Sequence, residues 1–430
     1  MNATLTGNEY RIILDVKHDL HMHPELSRQE YRTTEKIKEF LQELPKAELI
    51  DLSVKTGVIA RIRGTKPGPE TLLRADIDAL PQTEIYESPW KSVNEGVMHA
   101  CGHDFHTAAL LGAAMILSRA AEEGELKGCV DLLFQPAEEG TTGARMMIDA
   151  GLFDVIHPGR CFGMHNWPSV PAGNVVIHSG ALMAAKRNFR MKIFGSGGHG
   201  SMPHLNTDPI VCAAALVQSL QTVVSRNINP LTPAVLSINM IRGGGPANVV
   251  ADEVEIRGTI RSLSDEALDR AITRVETIVE NTAQAYECRP EINWEERIPA
   301  VFNTPQMCEL AERAAQAALT AECGAAAALS AECTDERTVP AECSAAAVLP
   351  ADDNAASIMP ARICTRITDA PPSLASEDFA LYRQYVPSFF YWIGSHTEGE
   401  QIEDLHRPTF HTDDGALRIA AAVYAASAML

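Results

Sequence analysis

Met98-His99-Ala100-Cys101-Gly102-His103-Asp104-Phe105-His106 is the stretch from which the rest of the chain can be read. One cysteine and three histidines fall between positions 99 and 106, and an apolar run without Pro or Cys follows from Thr107 towards Ala120. Cys101 and His103 are two apart, so in an extended segment their side chains point the same way. A thiolate and an imidazole on one side of a strand end supply half of a zinc-type ligand set. A buried cysteine followed by helix-start histidines looks the same in isolation. The missing ligands must therefore be sought elsewhere in the chain.

Upstream, Val58 to Ile62 reads as a short strand, and Thr71 to Pro81 as a buried strand that ends in the carboxylates Asp76 and Asp78. Open α/β sheets place their sites at the carboxyl ends of strands; a solvated turn is the other reading of this segment. Downstream, Gly128 to Gln135 is a strand that runs into Pro136-Ala137-Glu138-Glu139-Gly140. Adjacent carboxylates there point in opposed directions, so one can bind a metal while the other faces substrate. Cys161 to Asn166 is a further strand with His165 at its tip. Strands alternating with helices indicate an α/β sheet. Residues 8–44 are helical in spacing and broken at Pro24; the His21-Met22-His23 before it is either a metal pair or a helix-end turn.

From about residue 184 the pattern changes. Strands at 188–194, 235–241 and 253–261 alternate with helices at 208–226 and 265–285, a β-α-β-β-α-β order inserted in the larger domain. The Gly-rich segments 195–201 and 243–245 lie within it. Leu319-Thr320-Ala321-Glu322-Cys323 is echoed at Leu329 to Cys333 and at Val339 to Cys343. That decapeptide repeat fits no compact zinc spacing and reads as a low-complexity insert. Ser376-Glu377-Asp378-Phe379 opens a helix with a capping-type start. A strand at 389–394, the segment Leu405-His406-Arg407-Pro408 and a last helix, 414–426, follow.

At 430 residues the chain is too long for one ordinary core, which predicts two domains. Lys plus Arg total 36 against 56 Asp plus Glu, a net charge of −20. That balance argues against nucleic acid and anionic membranes as partners. No run of 18 uncharged apolar residues occurs, and the first ten residues lack a basic-then-apolar signal pattern, which leads to the expectation of a cytoplasmic protein. Of the ten cysteines, Cys129, Cys161, Cys212, Cys288 and Cys308 sit in apolar or mixed segments and read as small buried hydrophobes.

Cys101, His103, Glu139, His165 and His406 each fall at a strand end or loop beside one sheet edge. With Glu138 they make one thiolate, three imidazoles and two carboxylates, enough for two metals that share a bridging ligand. Cys101 suits the bridge, and Asp76 is placed to hydrogen-bond a ligand imidazole and fix its tautomer. His99 and His106 then become supporting residues.

With these motifs the chain resembles the amidohydrolase branch of the aminoacylase/carboxypeptidase G metallopeptidase family, which includes hippurate hydrolase, bacterial N-acyl-amino-acid amidohydrolases and plant indole-acetyl-amino-acid hydrolases. His23 to Leu26, Arg74 to Pro81, Met98 to His106, Phe134 to Gly140, Gly163 to Asn166, Gly197 to Ser201, Asn248 to Val250, Ser376 to Phe379 and Leu405 to Pro408 carry the resemblance. Only residues 317–370 depart from it.

The resemblance implies an α/β, zinc-exopeptidase-like catalytic domain over 1–184 and 298–430, with a ferredoxin-like α+β lid and dimerisation domain inserted at 185–297. It implies two divalent ions (zinc, manganese, cobalt or nickel) on Cys101, His103, Glu139, His165 and His406. Glu138 matches the general acid/base, and His199 a lid histidine that reaches the partner subunit's site. Asn248 and Arg261 match positions that contact the substrate's carboxylate side. The implied reaction is hydrolysis of an N-acyl amino acid, hippurate-like, by a homodimer or a dimer-based oligomer. A dipeptidase or carboxypeptidase on the same site, and a dimeric binding protein without catalysis, are the alternatives.

Overall fold

The computed structural model describes residues 3–332 and 366–430. The chain forms two compact units. One comprises residues 1–177, 304–370 and 385–430; the other comprises 178–303 and 371–384. The second contains the 185–297 segment and adds short flanking pieces, 371–384 among them.

In the first unit, helix α1 (Gly7–Met22) starts on a capping box in which Thr6 and Glu9 satisfy each other's backbone amides. α2 (Tyr31–Gln42), β1 (Ala47–Ile50), β2 (Val58–Arg63) and β3 (Lys66–Asp76) follow. α3 (His103–Glu122) is buried on nearly every side, as its apolar composition requires, and packs against α1. β4 (Lys127–Gln135), α4 (Gly143–Asp149), α5 (Leu152–Val155), β5 (Arg160–Pro171) and β6 (Asn174–Val176) complete this part.

The second unit opens with β7 (Gly180–Met183) and β8 (Ala185–Phe194). β9 (Gly198–His199), α6 (Pro209–Asn227), β10 (Ala234–Gly243), β11 (Val249–Val250), β12 (Glu253–Ser262), α7 (Asp265–Ala285), β13 (Arg289–Trp294) and β14 (Val301–Asn303) follow. Its main sheet has the order β10-β12-β8-β13, with every pairing antiparallel. Asp208 and Ser264 cap α6 and α7 with their side chains. Leu216, Leu220 and Val223 of α6, and Leu268, Ile272, Val275 and Val279 of α7, recur at helical spacing and build the core of this unit. The spatial order is that of a split β-α-β, ferredoxin-like sandwich. The helix expected to open at 376–379 is a 3₁₀ helix, Asp378–Gln384, and the Glu377 carboxylate accepts from the Phe379 amide at 3.0 Å.

The chain then returns to the first unit with α8 (Pro305–Glu332), β15 (Arg366–Thr368), β16 (Ser388–His396) and α9 (Ala416–Met429), which packs on α3 and α8. α8 corrects one expectation: the 317–370 insert begins inside a regular helix. Ala318 and Leu319 are buried, because an Ala-rich repeat is also a good helix former. The repeat beyond Glu332 lies outside the described residues. The large sheet runs β1-β2-β4-β3-β5-β16-β6-β15. Its central strands β4, β3, β5 and β16 are mutually parallel and largely buried, as parallel strands covered on both faces are. β4 and β5 flank β3 on opposite sides, so the connections leaving their carboxyl ends diverge and open a crevice there. No helix among the described residues is long and apolar enough to cross a membrane.

Candidate metal centre

Three turns with left-handed backbone bring the candidate ligands to that crevice. At Gly102 φ is 86°, and an added Cβ would meet Asn166 Oδ1 at 2.2 Å, so a residue without a side chain is required between Cys101 and His103. Ala137 (φ 56°) turns the end of β4 so that Glu138 and Glu139 face the site, and His406 itself has φ 63°. The His406 amide donates to the Ala100 carbonyl at 2.8 Å, which ties its loop to the residue before Cys101. Non-glycine residues hold such conformations where the surroundings over-determine them, often at functional sites.

Asp78 organises the cluster. Its Oδ1 lies 3.2 Å from His103 Nδ1 and accepts the Glu138 amide at 3.1 Å; its Oδ2 accepts the Glu139 amide at 3.1 Å and the Ser27 hydroxyl at 2.5 Å. Sequence reasoning gave the task of orienting a ligand imidazole to Asp76. The structure gives it to Asp78, two residues on. β3 ends at Asp76, and Asp78 reaches past the sheet edge to the start of α3. Asp76 Oδ1 instead meets His106 Nδ1 at 2.6 Å, Oδ2 accepts from Arg74 at 2.8 Å, and Oδ2 stays 3.7 Å from His103 Nε2.

The ring nitrogens left over point at one another's neighbourhood. His165 Nδ1 donates to the Asn166 carbonyl at 2.6 Å, and its Nε2 lies 3.3 Å from Cys101 Sγ. With Nδ1 on Asp78, His103 Nε2 is buried with no hydrogen-bond partner. Glu139 Oε1 also lacks one and sits 3.4 Å from His406 Nε2. Donor atoms of Cys101, His103 and His165 lie within 4.8 Å of each other; so do those of Cys101, Glu139 and His406, and those of His103, Glu138 and Glu139. The first two groups share Cys101.

The electrostatics ask for a cation. Burial, then Glu139 and Glu138, push the Cys101 thiol well above its ordinary range. Burial opposes charge on His103, yet Asp76 and Asp78 outweigh it and push that imidazole up to about 10. Burial, then the neighbouring His106, drive His165 well below its ordinary range. Buried carboxylates of this number are stable only when paired. A thiolate–imidazole–carboxylate set fits divalent transition ions, which would hold Cys101 deprotonated.

Other expectations resolve as follows. His106 joins Asp76 to Asn166, a support rather than part of the Cys101 groups. His99 is buried with both nitrogens unpartnered, and burial pushes it down to about 4. In the His-x-His pair, His21 bridges Asp104 and Glu84 at 2.9 and 3.1 Å, and His23 bonds the Asp19 carbonyl; neither belongs to a candidate metal group. In the second unit, His199 is exposed with Nδ1 accepting from the Ser201 hydroxyl at 2.9 Å. Asn248 is exposed, and Arg261 donates to the Leu374 carbonyl at 2.9 Å. His106 supports the site as the sequence reading expected, while Asp78 and Asn166 are the supporting residues that pattern reading missed; for Asp78 the Asp-x-Asp spacing at the end of a strand was the available signal.

Comparisons with known proteins agree with this architecture. The family model described as peptidase family M20/M25/M40 matches residues 72–430. N-acetylcysteine deacetylase of Bacillus subtilis (strain 168) is 37% identical over 419 residues, covering 97% of this chain and 96% of that protein. N-acetyldiaminopimelate deacetylase of Geobacillus sp. (strain WCH70) is 36% identical over 292 residues, 68% of this chain and 77% of that protein. The crystal structure of the Bacillus subtilis YXEP protein, described as a dinuclear metal binding peptidase from the M20 family, superposes with a TM-score of 0.75 at 34% identity, covering 99% of this chain and 98% of that one. A matching family model, full-length relatives and a shared fold together establish that the chain belongs to peptidase family M20/M25/M40 and is a metal-binding amidohydrolase of that family.

Proposed function

We propose that the protein hydrolyses the linear amide of N-acyl amino acids, hippurate-like substrates included, to a carboxylic acid and a free amino acid. The observation that carries the reading is the convergence of Cys101, His103, His165, Glu139 and His406 donor atoms beside the buried Glu138 carboxylate. When bound, two divalent ions would supply Lewis acidity, acidifying water and polarising the amide carbonyl. Cys101 would bridge them, His103 and His165 completing one ligand group, Glu139 and His406 the other. Glu138 takes the proton of the attacking water and returns it to the leaving amine. It is 7% exposed, on the turn whose backbone Asp78 pins, so its carboxylate is shielded from bulk water. The sulfur donor favours zinc among the candidate ions, with manganese, cobalt and nickel behind it.

The second unit would provide substrate recognition. Burial disfavours the charged form of Arg261, and no ion pair to a carboxylate is found for it among the described residues, which suits a guanidinium kept for a substrate carboxylate. Asn248 would contact the same end of the substrate. His199, with Nδ1 engaged by Ser201, offers Nε2 as a donor for the oxyanion in the partner subunit's site of a homodimer. Exposed Leu205, Ile210, Val211, Leu231 and Ile241, together with the open edge of β10, support such a dimer.

A panel of N-acetylcysteine, N-acetyldiaminopimelate, hippurate and an unblocked dipeptide tests the reading. The acyl amino acids should be cleaved and the dipeptide should not. Glu138→Gln should lower kcat by about 10²–10⁴-fold with metal content unchanged. Equal rates in parent and variant would remove Glu138 from its role.

A further inference from the structure

His106 is fully buried on the first turn of α3, and its two nitrogens face two different elements. Nε2 lies 2.9 Å from the Asn166 backbone nitrogen. An amide N–H can only donate, so Nε2 accepts, and the ring proton sits on Nδ1, where Asp76 receives it at 2.6 Å. Arg74 holds the other Asp76 oxygen at 2.8 Å and reaches Gln135 at the end of β4 with its Nε.

The reason a histidine is needed there lies in the sheet. β3 pairs with β5 from Thr71↔Arg160 to Arg74↔Gly163 and goes no further. β5 runs on to Pro171 with β16 on one side and, among the described residues, no strand beside it on the other. The Asn166 amide falls in that unpaired stretch, and His106 Nε2 replaces the missing strand carbonyl. The Asn166 carbonyl, in turn, receives His165 Nδ1–H at 2.6 Å, which turns His165 Nε2 towards Cys101 Sγ.

We propose that His106 is a positioning residue for one of the two ions, the one held through His165: it anchors the Asn166 backbone, and that backbone aims the His165 imidazole. The inference rests on the two-metal reading above. It adds a selectivity, because His406 and Glu139 receive nothing from this chain of contacts.

The test is titration of Co²⁺ into the chelator-stripped full-length chain, followed by calorimetry and by ligand-field absorption. The parent should take up two ions. His165→Ala and His406→Ala identify which binding step belongs to which ligand group. His106→Phe, and His106→Asn, whose side chain falls short of the Asn166 amide, should weaken the His165 step by about 10–100-fold, the usual cost of losing an orienting partner. The His406 step should stay within about threefold by the same reasoning. His106→Gln can accept from Asn166 and donate to Asp76, and should restore the parent's values. Equal weakening of both steps, no weakening of either, or a Gln variant that behaves like Phe would overturn the proposal. The failures are separable. A parent that binds no ion overturns the metal reading and this inference with it; a parent that binds two, with the His165 step unmoved in His106→Phe, overturns this inference alone.

Discussion

Cys101, His103 and His165 are buried, and each imidazole is aimed by a second contact, Asp78 for His103 and the Asn166 carbonyl for His165. His406, on the other side of the same sulfur, stands on a loop with 53% of its side chain exposed, while its neighbour Glu139 is 12% exposed. One half of the centre is thus built on strand and helix ends whose rotamers are fixed by packing. The other half hangs on a strained loop residue. Ligands locked by supporting contacts bind with little reorganisation, and exposed ones must be ordered when the ion arrives. The two ions should therefore differ in affinity, the ion on the buried half being the tighter.

The most damaging test of that contrast is Cys101→Ala. The sulfur belongs to both ligand groups, so both ions should be lost and hydrolysis with them, as elemental analysis of the purified variant would show. Retention of one tight ion would mean that the thiolate serves one half only. His406→Ala should be more selective, weakening one ion by about a hundredfold or more and sparing the other, since direct ligands outweigh their orienting partners. Equilibrium dialysis reads that difference, and equal losses would erase the distinction between the halves.

Gly102→Ala attacks the buried half through its backbone. The positive φ costs about 1–3 kcal/mol, and the clash with Asn166 adds a further cost of similar size. A lower melting temperature and a weaker His165 ion are expected; a variant of parental stability would contradict the assigned geometry.

The smallest effect concerns the far end of the loop that carries His406. Asp414 Oδ2 lies 3.0 Å from His18 Nε2, and Lys17 holds its other oxygen, which fastens the loop to α1. Burial raises the Asp414 pKa, but Lys17 and His18 prevail and bring it down from 3.8 to about 2. A depressed carboxylate adds stability above its unfolded pKa and loses it as pH falls through the folded one. Asp414→Asn should cost on the order of 1 kcal/mol at neutral pH after screening, and the deficit should vanish as pH drops from about 4 towards 2. A deficit constant across that range would mean that packing, not charge, holds the loop.

Much of the candidate centre was legible because its residues sit in short motifs at strand ends. Cys101-Gly102-His103, Glu138-Glu139 and His165 all follow elements whose periodicity is plain. The β-α-β-β-α-β order of the second unit was legible for the same reason, and α7 begins and ends at the expected residues. Asp78 was undervalued because a strand pattern does not show where pairing stops, and the end of β3 at Asp76 is what frees Asp78 to reach α3. β6, β15 and β14 are three residues each and carry no periodicity of their own; their partners define them. α8 was obscured by the repeat, whose Ala-rich composition is low in information yet favourable to a helix.

The central claim is that this chain works as a two-metal amidohydrolase. The direct measurement is the metal content of the purified protein together with hydrolysis of N-acetylcysteine before and after chelation. Two divalent transition ions per chain, activity lost on stripping, and activity restored by adding back Zn²⁺, Mn²⁺, Co²⁺ or Ni²⁺ are the predicted results. A stripped protein that hydrolyses the substrate at the parental rate would contradict the account.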